Sequence, residues 1–278
     1  MKIRFKKMHL LNNHFIVIDG VNQTFKPNAK LIREWATRSD MGFDQLLLIE
    51  KSRHKEAHFY YRIFNANGSE VGQCGNGALC VAQFLASENL SKENPIRLAT
   101  RTSFIELQLA NDHQVTANLG TPIFMPEKIP FTSFSRGPIH ALETPFGRFD
   151  CCILSLGNPH CVLQVDSLET APVAELGDYL NQSPHPYFPQ GINVEFMKII
   201  NPKRIELRVY ERGVGETQAC GSGACAAVIA GRLLNRLKKK VDVHLPGGQL
   251  QVNWPGNGAS VLLTGKGETI SEAEIDCS

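Results

Sequence analysis

The sequence has no long apolar run and no excess of charge of either sign. Runs such as Phe15–Ile18 and Leu46–Ile49 are four residues long, far short of the ~20 that a membrane helix requires. Lys plus Arg is 29 and Asp plus Glu is 27, a net charge of +2, which provides no basic face for nucleic acid. The segment Met1–Met8 is basic but has no apolar core of a secretory signal. We therefore expect a cytoplasmic protein that binds neither nucleic acid nor a membrane.

The eight cysteines lack the spacing of a metal site. No Cys-x-x-Cys pair occurs, and no histidine spacing completes a zinc site, so we expect no bound metal. In a reducing compartment these cysteines are expected to be thiols. Most of them are interpreted as small buried hydrophobic residues, and Cys277 as a mobile terminal thiol. The group interpreted as buried comprises Cys80, Cys151, Cys152, Cys161 and Cys225.

What the sequence does contain is an internal repeat. Residues 62–78 match residues 208–224 at an offset of 146, with Arg, Glu, Cys, two Gly and Ala identical. Further matches upstream and downstream follow an offset of 145. Such a long period predicts two copies of one domain rather than a solenoid. We assign an N-terminal domain to residues 1–119 and a C-terminal domain to residues 120–265. The repeat alone lets the tail, residues 266–278, return to either half, and we expect it to pack on the N-terminal domain.

Each half predicts several strands and one buried helix. Residues 62–64 and 204–210 alternate as strands, whereas Ala78–Ala86 and Ala224–Leu234 are apolar nearly all round and therefore predict buried helices. Further strands are predicted at Ile96–Ala99, Phe104–Leu109, Val241–Leu245 and Gln249–Trp254. This pattern predicts an α+β fold of two pseudo-symmetric domains, each a curved mixed sheet wrapped around a central helix. The active surface is expected between the halves.

Both predicted helices follow a cysteine and the sequence Gly-polar-Gly-Ala. The free N–H groups and partial positive charge of a helix N-terminus suit a small anion such as a carboxylate. The same field should lower the pKa of Cys74 and Cys220. A thiolate can remove a proton from the carbon beside a carboxylate, and a thiol on the other face can return one. Donors around the carboxylate would stabilise the developing charge. The paired cysteines therefore indicate inversion of a stereocentre.

Over nearly its whole length the sequence resembles the diaminopimelate epimerase family. The stretches that carry the resemblance are, in chain order, Gly42–Gln45, Phe64–Glu70, Gln73–Ala78, Gly157–His160, Gly191–Asn193 and Glu211–Ala224. The resemblance implies two α/β domains with the site in the cleft between them, and a homodimer. It also implies cofactor-independent epimerisation of LL-2,6-diaminopimelate to the meso form, in lysine and peptidoglycan precursor biosynthesis.

The resemblance further implies roles for individual residues. Cys74 and Cys220 correspond to the acid/base pair, and His160 and Glu211 to the groups that orient the reacting centre. Arg212 corresponds to the group that holds the distal carboxylate, for which a guanidinium fork is well matched. The implied substrate-binding residues are Asn13, Gln45, Asn65, Gly75, Asn76, Asn158, Asn193, Glu211, Arg212, Gly221 and Ser222.

One segment departs from the family pattern His-Gly-x-Gly-Asn-Asp-Phe. In residues 9–15 the two glycines and the aspartate of that pattern are Leu10, Asn12 and His14. The loop must therefore adopt its conformation without the freedom of glycine.

Three other functions compete with this one. The first is another two-cysteine amino-acid racemase or epimerase of the same superfamily. The second is a dinucleotide-binding oxidoreductase, because Gly221–Ala226 fits G-x-G-x-x-A and Asp242 lies where a ribose ligand would be sought. In the first repeat, however, Cys80 occupies the third glycine position. The third is a non-catalytic ligand-binding module, which would keep the anion site but would not need paired thiols.

Overall fold

The computed structural model describes residues 2–132 and 137–276, so Cys277 lies outside the described residues. Within these ranges the strands are β1 (Lys2–Leu10), β2 (Asn13–Asp19), β3 (Gln45–Lys51), β4 (Phe59–Asn65), β5 (Glu70–Val71), β6 (Ile96–Ala99), β7 (Phe104–Leu109), β8 (Val115–Asn118), β9 (Ile139–Thr144), β10 (Gly147–Ser155), β11 (Pro159–Gln164), β12 (Asn193–Asn201), β13 (Arg204–Glu211), β14 (Gly215–Thr217), β15 (Lys240–Leu245), β16 (Gly248–Asn253), β17 (Leu262–Gly265) and β18 (Glu268–Asp276). The helices are α1 (Ala29–Ala36), α2 (Gly75–Ser87), α3 (Val173–Leu180) and α4 (Gly221–Leu233), with a 3₁₀ turn at Pro126–Lys128.

The chain divides into unit 1, residues 1–118 and 264–278, and unit 2, residues 119–263. In unit 1 the strand order is β18-β1-β2-β3-β4-β6-β7-β8, with parallel pairs at β2–β3 and β4–β6. In unit 2 the order is β9-β10-β11-β12-β13-β15-β16, with parallel pairs at β11–β12 and β13–β15. A short strand pairs with the end of β4 in unit 1 and of β13 in unit 2. The shared order confirms the predicted pseudo-symmetric α+β fold.

Helices α2 and α4 are the central helices of their units. Ten of the thirteen residues of α2 and eleven of the thirteen of α4 are buried, and each helix contacts several strands of its own sheet. Both helices begin three residues earlier than the sequence predicts, directly after the cysteine. Glycine has a poor intrinsic helix propensity, which hides this first turn from a pattern analysis. The turn forms because it is buried against the sheet.

Each sheet is covered on both faces near its middle, which explains the continuous apolar runs of β2 and β3. Successive side chains of a strand point to opposite faces. In unit 1, Ile16 and Leu46 pack with Trp35 of α1. In unit 2, Val194 and Phe196 of β12 pack in one core with residues of α3. Asn193 and Glu195 alternate with them and therefore point to the α4 face. Of the helices in the described ranges, none is both long and apolar enough to span a bilayer.

Candidate active site

The thiol of unit 1 lies at the N-terminus of α2. Cys74 is the N-cap, with extended backbone angles of φ −149° and ψ 109°, and its sulfur accepts the N–H of Gly77 at 3.2 Å. A Cβ at Gly77 would collide with the Tyr61 hydroxyl and would lie 3.2 Å from the Cys74 sulfur. Glycine is therefore required for the sulfur to approach the first turn of the helix.

The same ion pair stands before the cysteine in both units. Arg62 donates two hydrogen bonds to Glu70, both at 2.8 Å, and Arg208 donates two to Glu216, at 2.6 and 2.8 Å. Each pair ties the long strand to the short strand that leads into the cysteine. Arg62 lowers the pKa of the Glu70 carboxyl group by its hydrogen bonds and charge. This bidentate geometry holds in place the short strand that precedes each cysteine.

Three predicted substrate-binding residues of unit 1 lie at the same end of neighbouring strands. They are Asn13 at the start of β2, Gln45 at the start of β3 and Asn65 at the end of β4. Asn76 donates from Nδ2 to Oδ1 of Asn13 at 3.4 Å, and Gln45 donates to Oδ1 of Asn65 at 2.9 Å. Asn13 in turn donates to Asp44 at 3.0 Å. The structure therefore brings Asn13 beside the first turn of α2, as its implied role requires.

The segment that departs from the family pattern forms the tight turn between β1 and β2. Leu10 pairs with Asn13, so Leu11 and Asn12 are the two turn residues. Their φ angles are +51° and +63°, the left-handed region that a type I′ turn requires and that Leu rarely adopts. The turn forms without glycine, at the cost of strain at Leu11.

The thiol of unit 2 is more buried than that of unit 1. Cys220 is the N-cap of α4 and is 4% exposed. Burial raises the pKa of this thiol, and the neighbouring Glu211 carboxyl group raises it further, whereas Ser222 and the N–H of Gly223 lower it. The expectation that the helix N-terminus lowers the pKa of Cys220 is therefore wrong, because burial outweighs the helix field. The pKa of Glu211 is itself raised by burial, and Thr217 donates to it at 2.6 Å.

A row of hydrogen-bonded side chains ends beside Cys220. Nδ1 of His160 lies 2.6 Å from Oε1 of Glu195, and Nε2 lies 3.0 Å from Oδ1 of Asn158. Asn158 donates from Nδ2 to the Ser222 hydroxyl at 3.2 Å, and that oxygen lies 3.6 Å from the Cys220 sulfur. His160 and Glu195 are fully buried.

Arg212 follows the end of β13, and its main chain is anchored by Asn193. Asn193 accepts the N–H of Arg212 and donates to the carbonyl of Pro159, both at 2.9 Å. The guanidinium donates to the carbonyl of Gln190 at 3.3 Å. Arg212 also lines a cavity of about 670 Å³, together with Asp178, Asn181, Gln190, Gly191 and Tyr210. Among the described residues, neither Cys220 nor His160 lines that cavity.

Glu195, Asp44, Tyr61 and Thr217 touch the predicted site residues but were missed by the sequence analysis. Glu195 carries one detectable signal, a carboxyl group inside the otherwise apolar segment 194–197. Asp44 and Thr217 lie within stretches that resemble the family, whereas Tyr61 carries no such signal. Within residues 2–132 and 137–276, no three His, Cys, Asp or Glu side chains gather in a metal-binding group.

A sequence model of the family described as diaminopimelate epimerase matches residues 5–125 and 152–270. The chain belongs to the diaminopimelate epimerase family. Membership confirms the resemblance and assigns the protein to the racemase and epimerase class of isomerases. It favours that class over the dinucleotide-binding oxidoreductase.

Solved structures share the fold of this family member. A hydroxyproline epimerase from Agrobacterium vitis matches with a TM-score of 0.71 at 16% identity, covering 99% of this chain and 92% of that chain. A phenazine biosynthesis protein of the PhzF family from Bacillus anthracis matches with a TM-score of 0.66 at 14% identity, covering 99% of both chains. A methylitaconate-delta-isomerase matches with a TM-score of 0.65 at 14% identity, covering 99% and 95%. These likenesses concern the fold alone and do not select a substrate.

Proposed function

We propose that the protein epimerises LL-2,6-diaminopimelate to meso-2,6-diaminopimelate without a cofactor, using Cys74 and Cys220 as acid and base. The observation that supports this most is the matched pair of thiols. Each unit places a cysteine at the N-cap of its central helix, after the same ion pair. A hydrolase or a binding module needs one such device, whereas inversion of a stereocentre needs a proton acceptor and a proton donor.

The helix starts supply the groups that would hold the reacting carboxylate. Gly75 and Asn76 begin α2, and Gly221 and Ser222 begin α4, where the N–H groups of the first turn point out along the helix axis. A carboxylate beside these donors would carry part of the charge that develops when the α-proton leaves. The α-proton of an amino acid is very weakly acidic, so this stabilisation is essential to the reaction.

The two thiols have different surroundings, which indicates how the protons are shared. Burial and Glu211 favour the protonated form of Cys220. The Cys74 sulfur accepts the Gly77 N–H, a contact that suits a thiolate. In one direction Cys74 would therefore take the α-proton and Cys220 would deliver its own proton to the opposite face. The reverse direction exchanges these roles, and His160 and Glu211 would keep the reacting groups oriented.

The other end of the substrate would be held by amides and by Arg212. Diaminopimelate has a second amino-acid group, whose carboxylate fits the guanidinium fork. Asn65, Asn158 and Asn193 would bind the remaining polar atoms, together with Asn13 and Gln45. We also propose a cytoplasmic homodimer acting in lysine and peptidoglycan precursor biosynthesis, and sedimentation of the purified protein tests the dimer.

Incubation with LL-2,6-diaminopimelate in D₂O, without pyridoxal phosphate or added metal, tests this function. We expect deuterium at one α-carbon together with formation of the meso isomer. Cys74→Ala and Cys220→Ala should each lower kcat by about 10²–10⁴-fold, as removal of an acid or base does. Cys225→Ala is the matched control, because Cys225 is a buried thiol further along α4.

Two results would contradict the proposal. One is a single-cysteine variant that keeps more than about a tenth of the wild-type rate, since loss of an acid or base costs far more. The other is turnover of trans-4-hydroxyproline or proline but not of diaminopimelate, which would establish another two-cysteine epimerase.

A further inference from the structure

The imidazole of His160 lies between two oxygen atoms that normally accept hydrogen bonds. One belongs to the carboxyl group of Glu195 and the other is the amide oxygen of Asn158. The other end of that amide, Nδ2, donates to Ser222. A neutral imidazole has one N–H and one acceptor nitrogen. It satisfies both contacts only if Glu195 carries a proton. An imidazolium satisfies both with Glu195 ionised.

Either arrangement places two protons on the pair and leaves it without net charge. This agrees with its burial, since His160 and Glu195 are both 0% exposed and an isolated buried charge is very costly. The titratable groups around Glu195 are Cys152 on β10, His160 and Cys161 on β11, Glu211 on β13 and Cys220 at the start of α4. Of these described neighbours, His160 alone can become a cation.

We propose that Glu195 is a positioning residue for the thiol of unit 2. Its carboxyl group keeps a proton on Nε2 of His160, and His160 thereby fixes the amide of Asn158. Asn158 donates to the Ser222 oxygen, so the Ser222 hydrogen is directed to the Cys220 sulfur, 3.6 Å away. That hydrogen bond stabilises the thiolate when Cys220 acts as base. The proposal rests on the proposed acid/base role of Cys220.

The described residues of unit 1 place no histidine–glutamate pair at the equivalent positions, so the row is not a requirement of the fold. In the β2–β3 ladder Phe15 pairs with Gln45, as His160 pairs with Asn193 in the β11–β12 ladder. Phe15 and Leu47 therefore occupy the places of His160 and Glu195. A Cβ at Gly77 would lie 3.2 Å from Leu47, and one at the matching Gly223 would lie 3.0 Å from Glu195.

The hydrogen bonds also run in opposite directions in the two units. In unit 1, Asn76 donates to Asn13, and Asn13 donates onward to Asp44. In unit 2, Asn158 occupies the place of Asn13, and it donates instead to Ser222 in the first turn of α4. A donor at Nε2 of His160 accounts for that reversal.

The first test is ¹⁵N NMR of the histidine rings of the wild-type protein, which needs no substrate. We expect Nε2 of His160 to carry a proton. A ring protonated at Nδ1 alone would overturn the proposal, whatever the substrate is. This measurement is independent of turnover. If Nε2 of His160 is protonated but the protein does not epimerise diaminopimelate, the proposed function is refuted and the positioning role of Glu195 stands.

The second test compares Glu195→Gln, Glu195→Leu and the control Glu206→Gln. In Glu195→Gln the new amide can donate a hydrogen to Nδ1 of His160, so this variant should keep most of the activity. Glu195→Leu introduces the residue type found at the equivalent position of unit 1. It should lower kcat/KM by about 10–100-fold, as loss of an orienting partner does. Glu206 pairs with Lys198 and Arg204 on the surface and should be neutral.

The pH profile separates positioning from a structural role. Because the pair carries no net charge, Glu195→Leu removes only the hydrogen bond that stabilises the thiolate. In the direction that uses the Cys220 thiolate as base, the acidic limb of the pH profile should therefore shift to higher pH. A shift to lower pH would show that Glu195 acts as a negative charge and would overturn the proposal. An unchanged profile in Glu195→Leu would reduce Glu195 to a packing residue.

Discussion

Arg212 is a partly buried cation whose guanidinium donates to a backbone carbonyl. Within residues 2–132 and 137–276 it forms no ion pair with a carboxylate. Burial lowers the pKa of its guanidinium. By contrast, Arg62 and Arg208, on the equivalent strands β4 and β13, are each paired with a glutamate. A cation held in this way is suited to a carboxylate that arrives with the substrate.

Arg212→Lys should therefore raise KM for diaminopimelate and lower kcat/KM by about 10–100-fold. Two hydrogen bonds to a carboxylate become one, and a bond to a charged group contributes about 1.5–3 kcal/mol. The measurement is steady-state kinetics, with Arg148→Lys on the exposed end of β10 as control. Equal kcat/KM for wild type and Arg212→Lys would remove Arg212 from substrate binding.

Single residues were predictable where the sequence repeats itself or resembles a family. Cys74 and Cys220 stand at matched helix starts, as the repeat predicts. Glu195 was not predictable as a site residue, because only the parallel pairing of β11 with β12 places it beside His160. The raised pKa of Cys220 was missed because its main causes, burial and the Glu211 carboxyl group, depend on how the chain folds around the thiol.

The turn between β1 and β2 is an element under local strain. Leu11 has φ +51°, and the left-handed conformation costs a residue with a Cβ about 1–2 kcal/mol, whereas Asn tolerates it. Leu11→Asn should therefore raise the free energy of unfolding by about 1 kcal/mol. Urea denaturation measures this change. Leu11→Ala is the control that removes the side chain but keeps the strain, and an equal gain in both variants would assign the effect to the side chain instead.

Elements were predictable where apolar and polar residues alternate. Strands β6 and β7 have the predicted bounds, and both central helices were found although their glycine-rich first turns were not. Strand β1 was not predicted, because its basic residues interrupt the apolar pattern of a buried strand. Lys6 is in fact 9% exposed and pairs with Glu88 and with Glu272, the latter at 2.9 Å. A buried, paired lysine looks like a solvated one in sequence.

At the scale of the molecule, the 145–146-residue offset predicted the common plan, and both sheets have the same strand order. The pairing of β1 with β18 joins Lys2 to Asp276, and contacts so distant in the chain leave no local signal.

Deletion of residues 266–278 should expose the edge of β1 and destabilise unit 1. Hydrogen exchange should then show lost protection in β1 and β2, with β11 and β12 of unit 2 still protected. Equal loss in both units would show that they unfold together.

The position of β18 also sets an order in time during synthesis. Unit 2 is one continuous segment, whereas unit 1 needs residues 268–276 to complete its sheet. At ~5–20 residues per second, the ribosome takes on the order of ten seconds to go from the end of β8 to β18. Throughout that interval β1 presents a strand edge able to pair with other chains. The half that is translated first is thus the last to finish folding, and the nascent chain is most exposed to aggregation at its own beginning.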